Sequence, residues 1–103
     1  MKPGYIYILT NKKQTVLYVG VTSNLMQRIS EHKSKKYQNS FTARYHTDQL
    51  VYWEYFEEIG AAIRREKQLK GGSRQKKVDL INSFNPQWID LQESITDFIN
   101  PLS

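Results

Sequence analysis

Two helical stretches carry charged side chains where apolar ones are expected. Leu25, Arg28, Ile29 and His32 fall at i, i+3, i+4 and i+7, the spacing that lines one helix face. Ile59, Ala62, Ile63 and Glu66 repeat that spacing further along. One such residue is ordinarily explained by local pairing, Arg28 with Glu31 or Glu66 with Lys70, or by a long side chain reaching out from the rim of a core. Three on two helices strain that explanation. An unpaired buried charge costs several kcal/mol, and a small domain has only about 5–15 kcal/mol of net stability. Lining one cleft, Arg28, His32 and Glu66 would supply a cation, a proton acceptor and a carboxylate, a set suited to phosphodiester chemistry.

The elements that must position them can be read from local pattern. Gly4 to Thr10 and Val16 to Val21 are β-branched and aromatic, and the short NKKQT between them implies an antiparallel hairpin. Pairing Thr10 with Thr15 would set Tyr7 opposite Tyr18, close to the turn into the Arg28 helix. Thr22, Ser23 or Asn24 can cap that helix, which should run to about Lys33. SKKYQNSFTARYHTD lacks periodicity and reads as an exposed loop. Leu50 to Phe56 is a third strand, too aromatic for an uncovered edge. A helix is predicted from Glu57 to Lys70, stopped by Gly71-Gly72, and another is capped by Ser73 and broken at Asn85-Pro86. The order ββαβαα gives an α/β (α+β) fold, a small three-stranded antiparallel sheet flanked by helices. One domain over residues 1–91 is expected, with 92–103 a tail that has room for a short helix.

Composition narrows the chemistry. The 103 residues contain no cysteine and two histidines, which removes thiol nucleophiles, disulfides and thiolate zinc sites, and fits a reducing compartment such as the cytoplasm. Any metal would be held by oxygen, so Mg²⁺ or Mn²⁺ is expected. No apolar run approaches the roughly 20 residues of a membrane span, and MKPGYIYILT reads as a strand rather than a signal peptide. The net charge is +5, with Arg64, Arg65, Lys67, Lys70, Arg74, Lys76 and Lys77 crowded together and Lys35, Lys36 and Arg44 in a second basic group. These are either solvated helix faces or a surface for phosphates. Lys70, Arg74, Lys76, Lys77, Lys35, Lys36 and Arg44 are the candidate backbone contacts. Phe41, Tyr45 and Trp53 are candidates for stacking on unpaired bases, although Trp53 suits a core equally well.

YIY at Tyr5–Tyr7 followed by YVG at Tyr18–Gly20 resembles the paired signature of the GIY-YIG nucleases. Arg28 and His32 stand where that family has an arginine and often a histidine four residues on, and Glu66 in AAIRREKQLKG matches its later glutamate. Over Gly4 to Leu91 the chain is most similar to small single-domain bacterial members, which are related to the N-terminal domain of an excision-repair incision subunit. It departs from them in having Gly4 one place early, Gly72 in place of an aromatic, and only Asn82 or Asn85 for the asparagine of some relatives. The resemblance implies a DNA endonuclease with Tyr7, Tyr18, Arg28, His32 and Glu66 as catalytic residues. It also implies one divalent ion at Glu66, and specificity set by DNA structure or by a protein partner. The general base would be Tyr7 or His32. A free tyrosine is only about one part in a thousand ionised at pH 7, so Tyr7 would need a cation to lower its pKa. The competing reading is a non-catalytic or partner-dependent nucleic-acid-binding module, and the residue types do not separate DNA from RNA.

Overall fold

A computed structural model describes residues 2–34 and 40–99. Its centre is the three-stranded antiparallel sheet expected, with order β2-β1-β3 for β1 (Gly4–Thr10), β2 (Leu17–Thr22) and β3 (Gln49–Phe56). Alternation along β1 divides the side chains between two cores. Tyr5, Tyr7 and Leu9 pack with Leu25 and Ile29 of α1 (Leu25–Lys33) and with Leu91 and Ile95 near and in α5 (Gln92–Ile99). Ile6 and Ile8 face the other way, onto Ala62 and Leu69 of α3 (Ile59–Gly71) and Ile81 of α4 (Arg74–Phe84). Among the described residues, no helix is long and apolar enough to cross a membrane.

The hairpin register differs from the expected one. Tyr7 pairs with Gly20, and Tyr18 with Leu9. The reason lies in the loop: Asn11 Oδ1 accepts from the amides of Thr15 (2.8 Å) and Val16 (3.1 Å), holding residues 11–16 outside the ladder. The slip is two residues, so both tyrosines keep the same face.

Helix boundaries follow local chemistry. Asn24 caps α1 by accepting from the Gln27 amide, and Ser73 caps α4 by accepting from Lys76. The predicted loop contains one helical turn, α2 (Phe41–Arg44), capped by Ser40; a single turn is too short to show periodicity. In α3 the buried line runs from Ala62 to Leu69, while Ile63 is 38 % exposed, so the predicted apolar stripe is rotated. Gly71 belongs to α3 and Gly72 ends it at φ −86°, without the left-handed residue a Gly-Gly stop suggests. Gly4 matters more: a Cβ there would lie 2.9 Å from the Ile59 Cα, so its absence lets α3 press against β1.

The aromatic third strand is an edge, and it is covered. The Leu91 amide donates to the Leu50 carbonyl (2.8 Å), and the Asn85 side-chain amide donates to the Val51 carbonyl (3.2 Å). Arg65 forks onto the Glu54 carboxylate (3.1 and 3.0 Å), and Tyr52 donates to the same group. This pins α3 to β3 and fixes which of its sides faces the sheet.

Candidate active site

The site begins with a tyrosine lying across a glycine. Tyr7 is on the central strand, 2 % exposed. A Cβ at its partner Gly20 would fall 2.3 Å from both its Cζ and its hydroxyl oxygen. Only glycine leaves that space, so the phenol passes over β2 toward the sheet edge, and its hydroxyl meets His32 Nε2 at 3.2 Å. The same ring is 6.3 Å from Tyr18, and Tyr18 is 5.8 Å from the His32 ring, edge to face.

Helix α1 supplies the next two groups. Leu25 and Ile29 anchor it in the core, which turns Arg28 and His32 to its half-buried flank. They line a cleft of about 140 Å³ with Tyr18, Glu31, Ser40, Phe41 and Thr42. Arg28 Nε lies 3.7 Å from Glu31. The apparent oddity of α1 therefore resolves into two faces, apolar inward and polar toward the cleft.

Glu66 arrives from α3, which packs on both β1 and β2. Its Oε2 is 3.2 Å from Lys70 Nζ, and its charge is felt at the Tyr7 hydroxyl together with those of Arg28 and Glu31. Tyr7, Tyr18, Arg28 and His32 are thus brought together, while Glu66 stands on the neighbouring helix, paired with Lys70 and outside the lining of the cleft. Among the described residues no three His, Cys, Asp or Glu side chains converge into a closed metal centre. A single half-buried carboxylate suits Mg²⁺ or Mn²⁺, which keep several waters and take further oxygens from a substrate phosphate.

The electrostatics favour neutral forms of both proton-carrying groups. Burial raises the Tyr7 hydroxyl well above the ordinary tyrosine value, Tyr18 and the two carboxylates adding to the rise and Arg28 opposing it. Arg28 alone does not give a standing phenolate. Burial and then Arg28 lower His32 below 6.5, against smaller opposing effects of Glu31 and Asp48. The folded chain therefore refuses a proton that the unfolded chain accepts below about pH 6.5. His32 thus costs stability as pH falls from 6.5 through its lower folded value, and no more below that. Urea unfolding of wild type and His32→Asn at pH 7 and pH 5 checks the sign: the variant should gain relative to wild type at the lower pH.

The basic candidates divide. Lys70 and Lys77 line a groove of about 400 Å³ with Leu17, Tyr18, Val19 and Phe41, continuous with the cleft through Tyr18 and Phe41. Arg74, Lys76 and Arg44 are exposed. Arg74 reaches the Gln14 carbonyl at 3.4 Å, and Lys77 the Gly72 carbonyl at 3.1 Å. Lys35 and Lys36 lie outside the described residues. Arg65, inside the basic run, is committed to Glu54. Phe41 and Tyr45 are 48 % and 47 % exposed, Phe41 stacked 6.0 Å from Tyr18, whereas Trp53 is half-buried between Tyr5 and Phe84.

Three contributors were not singled out as site residues from sequence. Gly20 was visible as part of YVG, but its role depends on the register. Glu31 was visible as a local partner of Arg28. Thr42, 5 % exposed, meets His32 Nδ1 at 2.9 Å from a segment without periodicity, where the Ser40 cap was the available signal.

Comparison with known proteins finds relatives over most of the chain. A UPF0213 protein of Syntrophus aciditrophicus is 37 % identical over 87 residues, covering 84 % of this chain and 98 % of that one. A UPF0213 protein of Clostridium perfringens is 39 % identical over 84 residues, covering 78 % and 84 %. The solution NMR structure of a UPF0213 protein from Bacillus halodurans matches with a TM-score of 0.50 and 32 % identity, over 78 % of this chain and 83 % of that one. The model of the GIY-YIG catalytic domain matches residues 3–79, and the chain belongs to the GIY-YIG family.

Proposed function

We propose that this protein is a divalent-metal-dependent endonuclease that hydrolyses DNA phosphodiester bonds, guided by DNA structure rather than sequence, in repair, recombination or degradation of DNA. The observation that carries the reading is the meeting of Tyr7, Tyr18, His32 and Arg28, from separate elements, beside one cleft. Family membership supports the nuclease chemistry.

Arg28 binds the scissile phosphate with its planar fork. Glu66 would hold one divalent ion, Mg²⁺ or Mn²⁺, which would supply Lewis-acid stabilisation of the charge that grows in the transition state. Both ring nitrogens of His32 are engaged, one by Tyr7 and one by Thr42. A proton from the attacking water therefore reaches it through Tyr7. The Tyr7 oxygen takes that proton while its own passes to His32 Nε2, so no free phenolate is required. The water oxygen bonds to phosphorus as the P–O3′ bond breaks, and the leaving oxygen takes a proton from solvent. Tyr18 positions the water or the phosphate.

Lys70, Arg74, Lys76, Lys77 and Arg44, with Lys35 and Lys36, bind the backbone without reading bases. Exposed Phe41 and Tyr45 offer ring faces to any unpaired base. Measured in EDTA, DNA affinity should fall roughly 10²–10³-fold between 50 and 200 mM salt, for about five phosphate contacts. A flat salt response would remove this surface from the account.

Plasmid nicking tests the activity. Conversion of supercoiled DNA to open circles in Mg²⁺ or Mn²⁺, and none in EDTA, is the expected result. Retention of the supercoiled form with every metal would favour a non-catalytic or partner-dependent binding role.

A further inference from the structure

We propose that Thr42 is a positioning residue that sets the tautomer of His32, and that Tyr7, His32, Thr42 and Ser40 form one directed hydrogen-bond chain from the site to the surface. The direction of the chain rests on the nuclease reading, while its geometry stands apart from it.

The four groups are in sequence. The Tyr7 hydroxyl lies 3.2 Å from His32 Nε2, His32 Nδ1 lies 2.9 Å from Thr42 Oγ1, and Thr42 Oγ1 lies 3.3 Å from Ser40 Oγ. Ser40 Oγ also accepts from the Ala43 amide at 3.3 Å, so one of its lone pairs is already committed. Two directions would satisfy the middle of the chain. They differ at its ends.

Running outward, Tyr7 donates to Nε2, Nδ1–H donates to Thr42, Thr42 donates to Ser40, and Ser40 donates to solvent. Running inward, Ser40 donates to Thr42, Thr42 to Nδ1, and Nε2–H to Tyr7. The inward direction puts a proton on Nε2 and leaves it unable to receive from Tyr7, the step the proposed relay requires. The outward direction leaves the spare donor on half-buried Ser40, where water can take it. The outward chain is therefore the resting arrangement, with the proton of His32 on Nδ1 and a lone pair on Nε2 facing Tyr7.

Thr42 is well built for this. It is 5 % exposed, and its carbonyl accepts from the Thr47 amide at 2.8 Å, which braces α2 behind the hydroxyl. Ser40 caps that turn and continues the chain with the same oxygen. The short helix in the predicted loop thus acquires a purpose, to hold one hydroxyl against one ring nitrogen. A ring with the proton on Nε2 instead could not receive from Tyr7, and the relay would stop.

The test is ¹⁵N-detected NMR of the His32 ring in the full chain at pH 8, beside steady-state cleavage. Wild type should show a protonated Nδ1 and an unprotonated Nε2. Thr42→Val, which keeps the shape and removes the acceptor, should shift the ring toward the Nε2–H form and lower kcat ~10–100-fold with KM little changed. Thr42→Ser should keep the wild-type tautomer and most of the rate. An Nε2–H tautomer in wild type, an unchanged tautomer in Thr42→Val, or equal loss in Thr42→Ser and Thr42→Val would each overturn the proposal. If Thr42→Val does not fold, the wild-type spectrum and Thr42→Ser still decide. Absence of cleavage in wild type would instead strike the nuclease reading, while the tautomer remained measurable.

Discussion

Glu66→Ala is expected to lower the cleavage rate by about three orders of magnitude while leaving the fold and DNA binding in place. The size follows from the role: losing several kcal/mol of transition-state charge stabilisation removes roughly 10³-fold in rate. The fold should tolerate the change because the partner of Glu66, Lys70, is 52 % exposed, and an exposed i, i+4 pair contributes only a few tenths of a kcal/mol. Removing a negative charge beside Lys70 should leave binding in EDTA equal or slightly tighter. Single-turnover cleavage and binding titrations on one preparation separate the two effects. Equal loss of binding and cutting would assign Glu66 to the DNA surface instead of the metal.

Gly20→Ala should also remove most activity, through Tyr7 rather than through any lost chemical group. The new methyl would sit 2.3 Å from the Tyr7 hydroxyl oxygen, inside any contact distance. Tyr7 is packed beneath Tyr18 and the His32 ring, so its escape breaks the 3.2 Å bond to Nε2. Overpacking of this kind costs about 1–3 kcal/mol of stability, and losing a positioned proton carrier costs about 10²-fold or more in rate. A double-mutant cycle isolates the cause. In a Tyr7→Ala background the methyl meets empty space, so Gly20→Ala should be nearly neutral for stability there. An equal penalty in both backgrounds would place its origin in the β2 backbone.

These two residues mark what could be read from the sequence and what could not. Glu66 stands out in the sequence as a carboxylate at the end of an apolar spacing, as Arg28 and His32 do on α1. Strand positions and two of the caps followed from β-branched runs and from Asn24 and Ser73. Gly20 was different. Its role needs the pairing with Tyr7, and that depends on how Asn11 folds the loop, a tertiary detail with no periodic signature. Spacing alone gives a helix face and not its rotation, which the Arg65–Glu54 clamp sets, so Ile63 is exposed although its spacing matches that of a buried residue. Thr42 was hidden because a single helical turn is shorter than the repeat used to detect it.

The most direct measurement of the central claim is cleavage of end-labelled duplex, single-stranded, flap and branched DNA in Mg²⁺ or Mn²⁺, by wild type and Glu66→Ala in parallel. Metal-dependent products are expected from wild type on at least one substrate and none from the variant, with both binding alike in EDTA. Cutting by both proteins, or binding by both without cutting on any substrate, would contradict it.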